Sequence, residues 1–360
     1  MSLLENYIRI FSDLRQAVII SENDTVVFAN TSLKSAIDCD PTGLPLEQVL
    51  PQELLDCSSD SFCCGGSIMD RDASMSVVRD GSYCLFFPEF LEPCREEQIM
   101  SPHVISTLRS CAMGIKLSAD RCFSMLENGV SPSQKHISVL YHYYYNLSRT
   151  ISQVSNAGQI ERTELSFLPT HTDLVKLCSD LTDTVSTLVA DKGLSIQFQT
   201  TEPEAFAMVD SLKIERLLLN LFSNSIKSCS AGDSITLSLK LSGSKLILQV
   251  EDTGSGIPQE ILGTLFALPD GSVDLTNPNP GMGLGLFIAF GIARLHKGVL
   301  LIESRQGQGT RVWVTLPADR ALSPRFKTPE SVYRHSGASL VLTELADILD
   351  NSCFGPIFED

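Results

Sequence analysis

The sequence predicts a multidomain α+β protein: an α/β unit, a helical hairpin, a two-layer α/β sandwich and a short acidic tail. Three observations predict it. Short apolar runs separated by turn residues fill the first 90 or so positions. Apolar residues then recur at steps of three and four from 104 to 154, and both patterns interleave from about 163 to 317. At 360 residues the chain has room for separate cores of this kind.

In the first unit, residues 1–97, Ala17-Val18-Ile19-Ile20 reads as a strand, Asn23-Asp24 as a turn, and Thr25-Val26-Val27-Phe28 as a second strand. A helix from Asn30 to Ile37 follows. Further strands fall near Gly66 to Asp70 and across Ala73 to Pro88, with a turn at Asp80-Gly81. Strand, turn, strand ending in Phe-Ala-Asn, then helix: this order resembles the opening of a PAS sensory domain. The resemblance implies a sensing role and leaves the signal unnamed.

Proline and charge around Leu91-Glu92-Pro93 mark a boundary. In residues 98–160, a seam of Val104, Leu108, Cys111, Ile115, Ala119, Cys122 and Leu126 holds to one face of a helix. Ser131-Pro132-Ser133 restarts a second helix, with its seam at Ile137, Leu140, Tyr144, Leu147, Ile151 and Val154. Two such helices cannot bury their shared stripe alone. A homodimer through residues 98–160, forming a four-helix bundle, is the economical solution.

Residues 161–318 alternate helices with strands. Helices are expected from Asp173 to Val189, Leu212 to Cys229 and Leu286 to Leu295. Strands are expected at Leu194 to Thr200 and Ala205 to Val209, in a hairpin of Ser234 to Leu241 and Lys245 to Glu251 turning at Gly243, and in a second hairpin of Val299 to Ser304 and Thr310 to Leu316. Strands with helices to one side make a two-layer sandwich. Residues 319–360 form a linker and a tail. In it Leu342, Leu345, Ile348 and Leu349 fall at helical spacing beside acidic residues, a segment fit to dock on a partner or to pack back on its own domain.

Composition narrows the function. With 27 basic against 43 acidic residues and no basic cluster, nucleic acid is not an expected partner. No apolar run approaches the roughly 20 residues of a membrane span, and the N-terminus lacks signal-peptide features, so a cytoplasmic protein is expected. The eleven cysteines show no metal-ligand spacing. They read as reduced, mostly buried thiols, with Cys63-Cys64 the one pair at which redox chemistry could be sought.

The chemistry lies in three stretches. On the helix from Ser211, Asn220, Asn224 and Lys227 occupy neighbouring turns of one face. Amide oxygens there can hold a hard cation such as Mg²⁺, and the lysine can meet phosphates. Alone, the same face reads as two solvated asparagines. Asp252 ends an alternating strand, where a fixed carboxylate can accept from an exocyclic amine such as that of adenine; Gly254 and Gly256 after it allow a sharp turn and leave space for a flat ring. Gly281, Gly283 and Gly285 then precede an apolar helix whose first N–H groups could bind phosphate.

Together these stretches resemble the ATP-binding domain of sensor histidine kinases, within the superfamily that includes gyrase-type topoisomerases, mismatch-repair ATPases and a heat-shock chaperone. Asn220 to Lys227 matches the family's N box, Asp252 to Pro258 its first glycine box, Phe266 the start of its F box, Gly281 to Leu286 its second glycine box, and Gly307 to Thr310 the last. The resemblance implies ATP and Mg²⁺ as cofactors. It places Asn224 and Asn220 at the metal and phosphates, Lys227 at the phosphates, Asp252 at the adenine amine, and Thr310 at the adenine edge through water. Members that hydrolyse ATP directly carry a glutamate where this chain has Asn220. That absence favours the kinase branch, in which a protein side chain is the nucleophile, and implies a separate response regulator as partner.

The family pattern fails at the acceptor. Its hairpin carries histidine followed by an acid, whereas the nearest match here is Ser106-Thr107-Leu108-Arg109-Ser110-Cys111-Ala112. His103, one turn earlier and followed by Val104, is either a displaced phosphoacceptor or a surface histidine. His136 and His142 are weaker candidates, and His142 within Tyr141 to Tyr145 suits aromatic packing. The loop Ala267 to Met282, a candidate lid, has no basic residue to direct at phosphates, and Pro269 replaces the second F-box aromatic. A degenerate kinase that binds ATP and signals through its conformation is the alternative.

Overall fold

The computed structural model describes residues 3–12, 14, 16–50, 61–69, 71–90, 102–258, 284–318 and 340–354. Its first unit contains α1 (Leu3–Phe11), β1 (Ile19–Glu22), β2 (Thr25–Ala29), α2 (Thr31–Ile37), β3 (Ser61–Ile68), β4 (Arg71–Asp80) and β5 (Tyr83–Phe90). Asn23 and Asp24 both take positive φ, which makes the tight turn between β1 and β2. Asn30 fixes the helix that follows: its Oδ1 accepts from Leu33 N and from Val18 N, both at 3.0 Å, so the N-cap is tied to the strand edge. The strands order β2-β1-β5-β4-β3, all antiparallel. β3 begins well before Gly66, because its ladder with β4 holds where Gly65-Gly66 blurs the side-chain pattern.

The hairpin consists of α3 (Pro102–Glu127) and α4 (Gln134–Glu161). Gly114 lets them approach: a Cβ there would lie 2.5 Å from the Tyr143 ring. In α3 the expected seam is the covered one up to Cys122. In α4 it is not, since Tyr144 and Ile151 are 52% and 55% exposed while Ser138, Tyr145, Thr150, Gln153 and Ala157 are buried. The physical reason is a second neighbour. One side of α4 is turned onto the third unit, where Ile160 fills the space above Gly291, and onto Phe354, whose ring centroid is 5.4 Å from that of Tyr145.

The third unit runs β6 (Thr170–Asp173), α5 (Leu174–Leu188), β7 (Ser195–Thr200), β8 (Phe206–Val209), α6 (Ser211–Ser228), β9 (Ser234–Ser242), β10 (Lys245–Asp252), α7 (Leu284–Leu295), β11 (Val299–Arg305) and β12 (Gly309–Pro317). β6, Thr-His-Thr-Asp, has no apolar alternation to betray it and pairs with β8. Asp173 and Asp210 cap α5 and α6 through Val175 N and Lys213 N. The main sheet orders β11-β12-β10-β9-β7, with β7 parallel to β9 and the rest antiparallel. Leu181, Leu217, Phe222 and Ile288 from the helices pack with Leu237, Leu248 and Val314 from the sheet in one core, as a two-layer sandwich requires.

The two sheets are continuous. β11 pairs antiparallel with β3, in register Leu300↔Gly65, Leu301↔Cys64, Ile302↔Cys63, giving one sheet of ten strands. Alternation sends neighbouring side chains to different cores. Cys63 joins the core of the third unit, while Cys64, Val299 and Leu301 join that of the first. Burial pushes the Cys63 thiol up, which disfavours the thiolate that redox chemistry would need.

Candidate functional site

Asp252 ends β10 between Ile235 of β9 and Thr310 of β12, and only 5% of it is exposed. Its Oδ1 accepts from Gly254 N at 3.1 Å and Thr310 N at 3.2 Å, and its Oδ2 accepts from Ser225 Oγ at 2.9 Å. Burial pushes the carboxyl above its ordinary range despite those three bonds. The result is an acceptor held rigidly at the lip of the sheet. Ser225 is absent from the sequence-derived site. The signal for it was a hydroxyl on the buried stripe of Leu218, Leu221 and Phe222, a place that asks for a polar partner.

The turn after Asp252 is sewn to the turn between β11 and β12. Gly307 N donates to Ser255 O at 2.7 Å, and Ile257 N donates to Ser304 Oγ at 2.8 Å; that hydroxyl also lies 2.9 Å from Thr310 Oγ1. Gly254 and Gly256 answer first to this backbone packing. A Cβ on Gly254 would stand 2.6 Å from Ser228 O, and one on Gly256, at φ +65°, 2.1 Å from Arg305 O.

On α6 the structure divides the expected polar face. Asn220 is 1% exposed; its Nδ2 donates to Arg216 O at 2.9 Å and its Oδ1 is buried with no hydrogen-bond partner. Gly285 lies over that oxygen, so close that a Cβ would be 2.9 Å away. Among the described residues α7 already includes Leu284 and Gly285, ahead of the expected Leu286. Asn224 is exposed, and Lys227 is ion-paired with Asp347 of the tail. Phe266, Gly281, Gly283 and the loop 267–282 lie outside the described residues. His103 falls in the first turn of α3, with its side chain outside them too. His136 Nδ1 is 2.7 Å from Ser133 Oγ, and His142 packs edge-on against Phe354 with centroids 5.2 Å apart.

Residues 209–320, which hold the asparagines, Asp252 and Thr310, match the family model described as histidine kinase-, DNA gyrase B-, and HSP90-like ATPase. The chain carries a histidine-kinase-type ATP-binding domain. It is 29% identical over 224 residues to an uncharacterized sensor-like histidine kinase of Rhizobium meliloti, covering 60% of this chain and 41% of that protein. It is 30% identical to the adaptive-response sensory kinase SasA of Crocosphaera subtropica, over 48% of this chain and 46% of the relative. The chain thus spans less than half the length of these relatives. Among solved structures, the Acinetobacter baumannii histidine kinase AdeS aligns with 59% of this chain and 98% of its own, at 19% identity and a TM-score of 0.44. Within residues 209–320, Ser225 and Thr310 donate to Asp252 at the end of β10, and Asn220 lies beneath Gly285 of α7. No helix among the described residues is long and apolar enough to cross a membrane.

Proposed function

We propose that the protein binds Mg-ATP between α6, β10 and α7 and transfers the γ-phosphoryl group to a histidine, as a cytoplasmic, dimeric sensor kinase that serves a separate response regulator. One observation carries the reading: the rigid Asp252 acceptor is bonded to Ser225 of α6, the same helix that carries the unsatisfied Asn220 Oδ1. Asp252 suits the adenine amine. A buried amide oxygen without a donor costs about 1–3 kcal/mol, and a hard cation relieves that cost, so Asn220, with exposed Asn224 one turn on, fits Mg²⁺. Bound Mg²⁺ would supply charge neutralisation for the phosphates. Thr310 orders the adenine edge, and Gly285 lets the α7 backbone approach Asn220. No carboxylate stands at position 220 to activate water, which supports a protein nucleophile over hydrolysis.

Dimerisation is supported by the apolar side chains the hairpin leaves uncovered. Leu117, Phe123, Tyr144 and Ile151 are each more than half exposed, and a second hairpin would cover them. The PAS-like reading of residues 1–97 is supported by the strand, turn, strand and helix at β1, β2 and α2. A second reading, the non-phosphorylating ATP-gated module, is favoured by Val104 standing where an acid should follow His103. Incubation with γ-labelled ATP and Mg²⁺ separates the two. Acid-labile label that disappears in His103→Ala supports the kinase, and nucleotide binding without label supports the module.

A further inference from the structure

The C-terminal segment 340–354 lies in a groove between α4 of the hairpin and α6 of the ATP-binding domain. Its apolar side is buried: Leu345 and Ala346 are 0% exposed, Leu349 5% and Phe354 1%. Its acidic side is spent on the cations of both walls. Glu344, itself 1% exposed, has Oε1 2.8 Å from Arg216 Nε. A single oxygen of Asp347, Oδ2, is shared by Arg149 of α4 and Lys227 of α6. Arg149 also donates to Ser223 Oγ at 3.3 Å, and Asn146 Nδ2 donates to Ala346 O at 3.3 Å, so the segment is fastened to both walls.

Two of these cations belong to the helix that carries the nucleotide asparagines. Arg216 stands one turn before Asn220, and Lys227 three residues after Asn224. We propose that residues 340–354 are an autoinhibitory latch, in which Asp347 takes the place of nucleotide phosphate on Lys227 while Glu344 and Asp347 pin the ATP-binding domain to the hairpin. The inference rests on the Mg-ATP reading of the site.

The energetics make the two events exclusive. A carboxylate in this groove is tolerable only while paired: burial pushes Asp347 up, but Arg149 and Lys227 outweigh it and hold the carboxyl below its usual range. Drawing Lys227 toward phosphate leaves Asp347 with Arg149 alone, beside a second negative group. A ligand that needs Lys227 must therefore favour the undocked tail, and by linkage the docked tail must weaken that ligand. Rotation of the ATP-binding domain about the hairpin breaks the same contacts. Nucleotide occupancy, tail release and domain freedom become one equilibrium.

The test is calorimetry of Mg-ATP binding to the whole chain and to Asp347→Asn, which keeps the side-chain shape and removes the competing charge. The latch requires tighter binding in the variant, about tenfold, within the roughly 5–150-fold of ordinary allosteric coupling. Hydrogen exchange of the wild-type chain is the second measurement: amides of 340–354 must exchange faster with saturating Mg-ATP than without. Asp252→Asn is the control for the site. ATP binding that Asp252→Asn weakens but Asp347→Asn leaves unchanged overturns the latch alone, as does tail exchange indifferent to nucleotide. Absence of binding in both the wild type and Asp347→Asn removes the site and the latch together.

Discussion

Replacing Asp252 by asparagine changes one heavy atom of the proposed adenine acceptor, and the structure fixes what that atom does. Oδ1 is committed to Gly254 N and Thr310 N, so the asparagine oxygen would keep that place and its NH₂ would take the place of Oδ2. Ser225 can rotate its hydroxyl to accept instead of donate, which limits the loss in folding stability to about 0.5–1.5 kcal/mol. The adenine amine fares worse, because it would face a donor where it needs a charged acceptor. The loss is about 1–3 kcal/mol, or roughly 5- to 150-fold in Kd. Calorimetry with Mg-ATP measures it, with a thermal melt to show that the variant is folded. The same variant should narrow the preference for ATP over inosine triphosphate, whose carbonyl replaces the amine. A folded variant with wild-type affinity and unchanged base preference would refute the assignment of Asp252 to the adenine.

Two further outcomes follow from the same geometry. Gly256→Ala puts a side chain at φ +65° and against Arg305 O; the left-handed backbone alone costs about 1–2 kcal/mol, and displacement of β11 raises the total to about 3 kcal/mol or more, read as a lower urea midpoint. His296 is buried with Nδ1–H donating to Ile292 O at 2.8 Å and Nε2 accepting from Asp210 N at 3.0 Å, and burial pushes its pKa down. The unfolded histidine binds its proton near pH 6.5. The neutral ring's contribution is therefore full above that pH and is lost as pH falls toward the lower folded value. The urea midpoint should drop between about pH 7.5 and 5.5, and His296→Phe should flatten that part of the profile; an equal slope in both proteins counts against the assignment.

Apart from β6, the order of strands and helices in the ATP-binding domain was legible, because the longer elements keep their own period and glycines such as Gly193, Gly232, Gly243 and Gly307 mark the turns between them. Asp252 was legible for the same reason, since a strand of Leu246, Leu248 and Val250 has to deliver its last side chain to a known edge. What the sequence concealed were contacts between distant segments. Ser225 gains its role only when β10 is laid beside α6. The α4 seam at Tyr144 and Ile151 follows the heptad correctly, but period alone cannot tell which of two neighbours claims a helix first, and here Phe354 and α7 claim the side carrying Tyr145. Lys227 shows the same limit: its type and spacing suit phosphate, and only the folded chain sets Asp347 against it.

The pairing of β3 with β11 makes the first and third units one object in folding, whatever the sequence suggests about a boundary near residue 97. Their cores exchange side chains across three registered pairs, so loosening either unit removes packing from the other. A chain shortened to start at residue 98 would uncover the backbone edge of β11 at Leu300, Leu301 and Ile302 and the side chains of Val299 and Leu301. An apolar strand edge of that kind recruits other chains. The N-terminal unit thus doubles as a guard against aggregation for the domain that binds ATP.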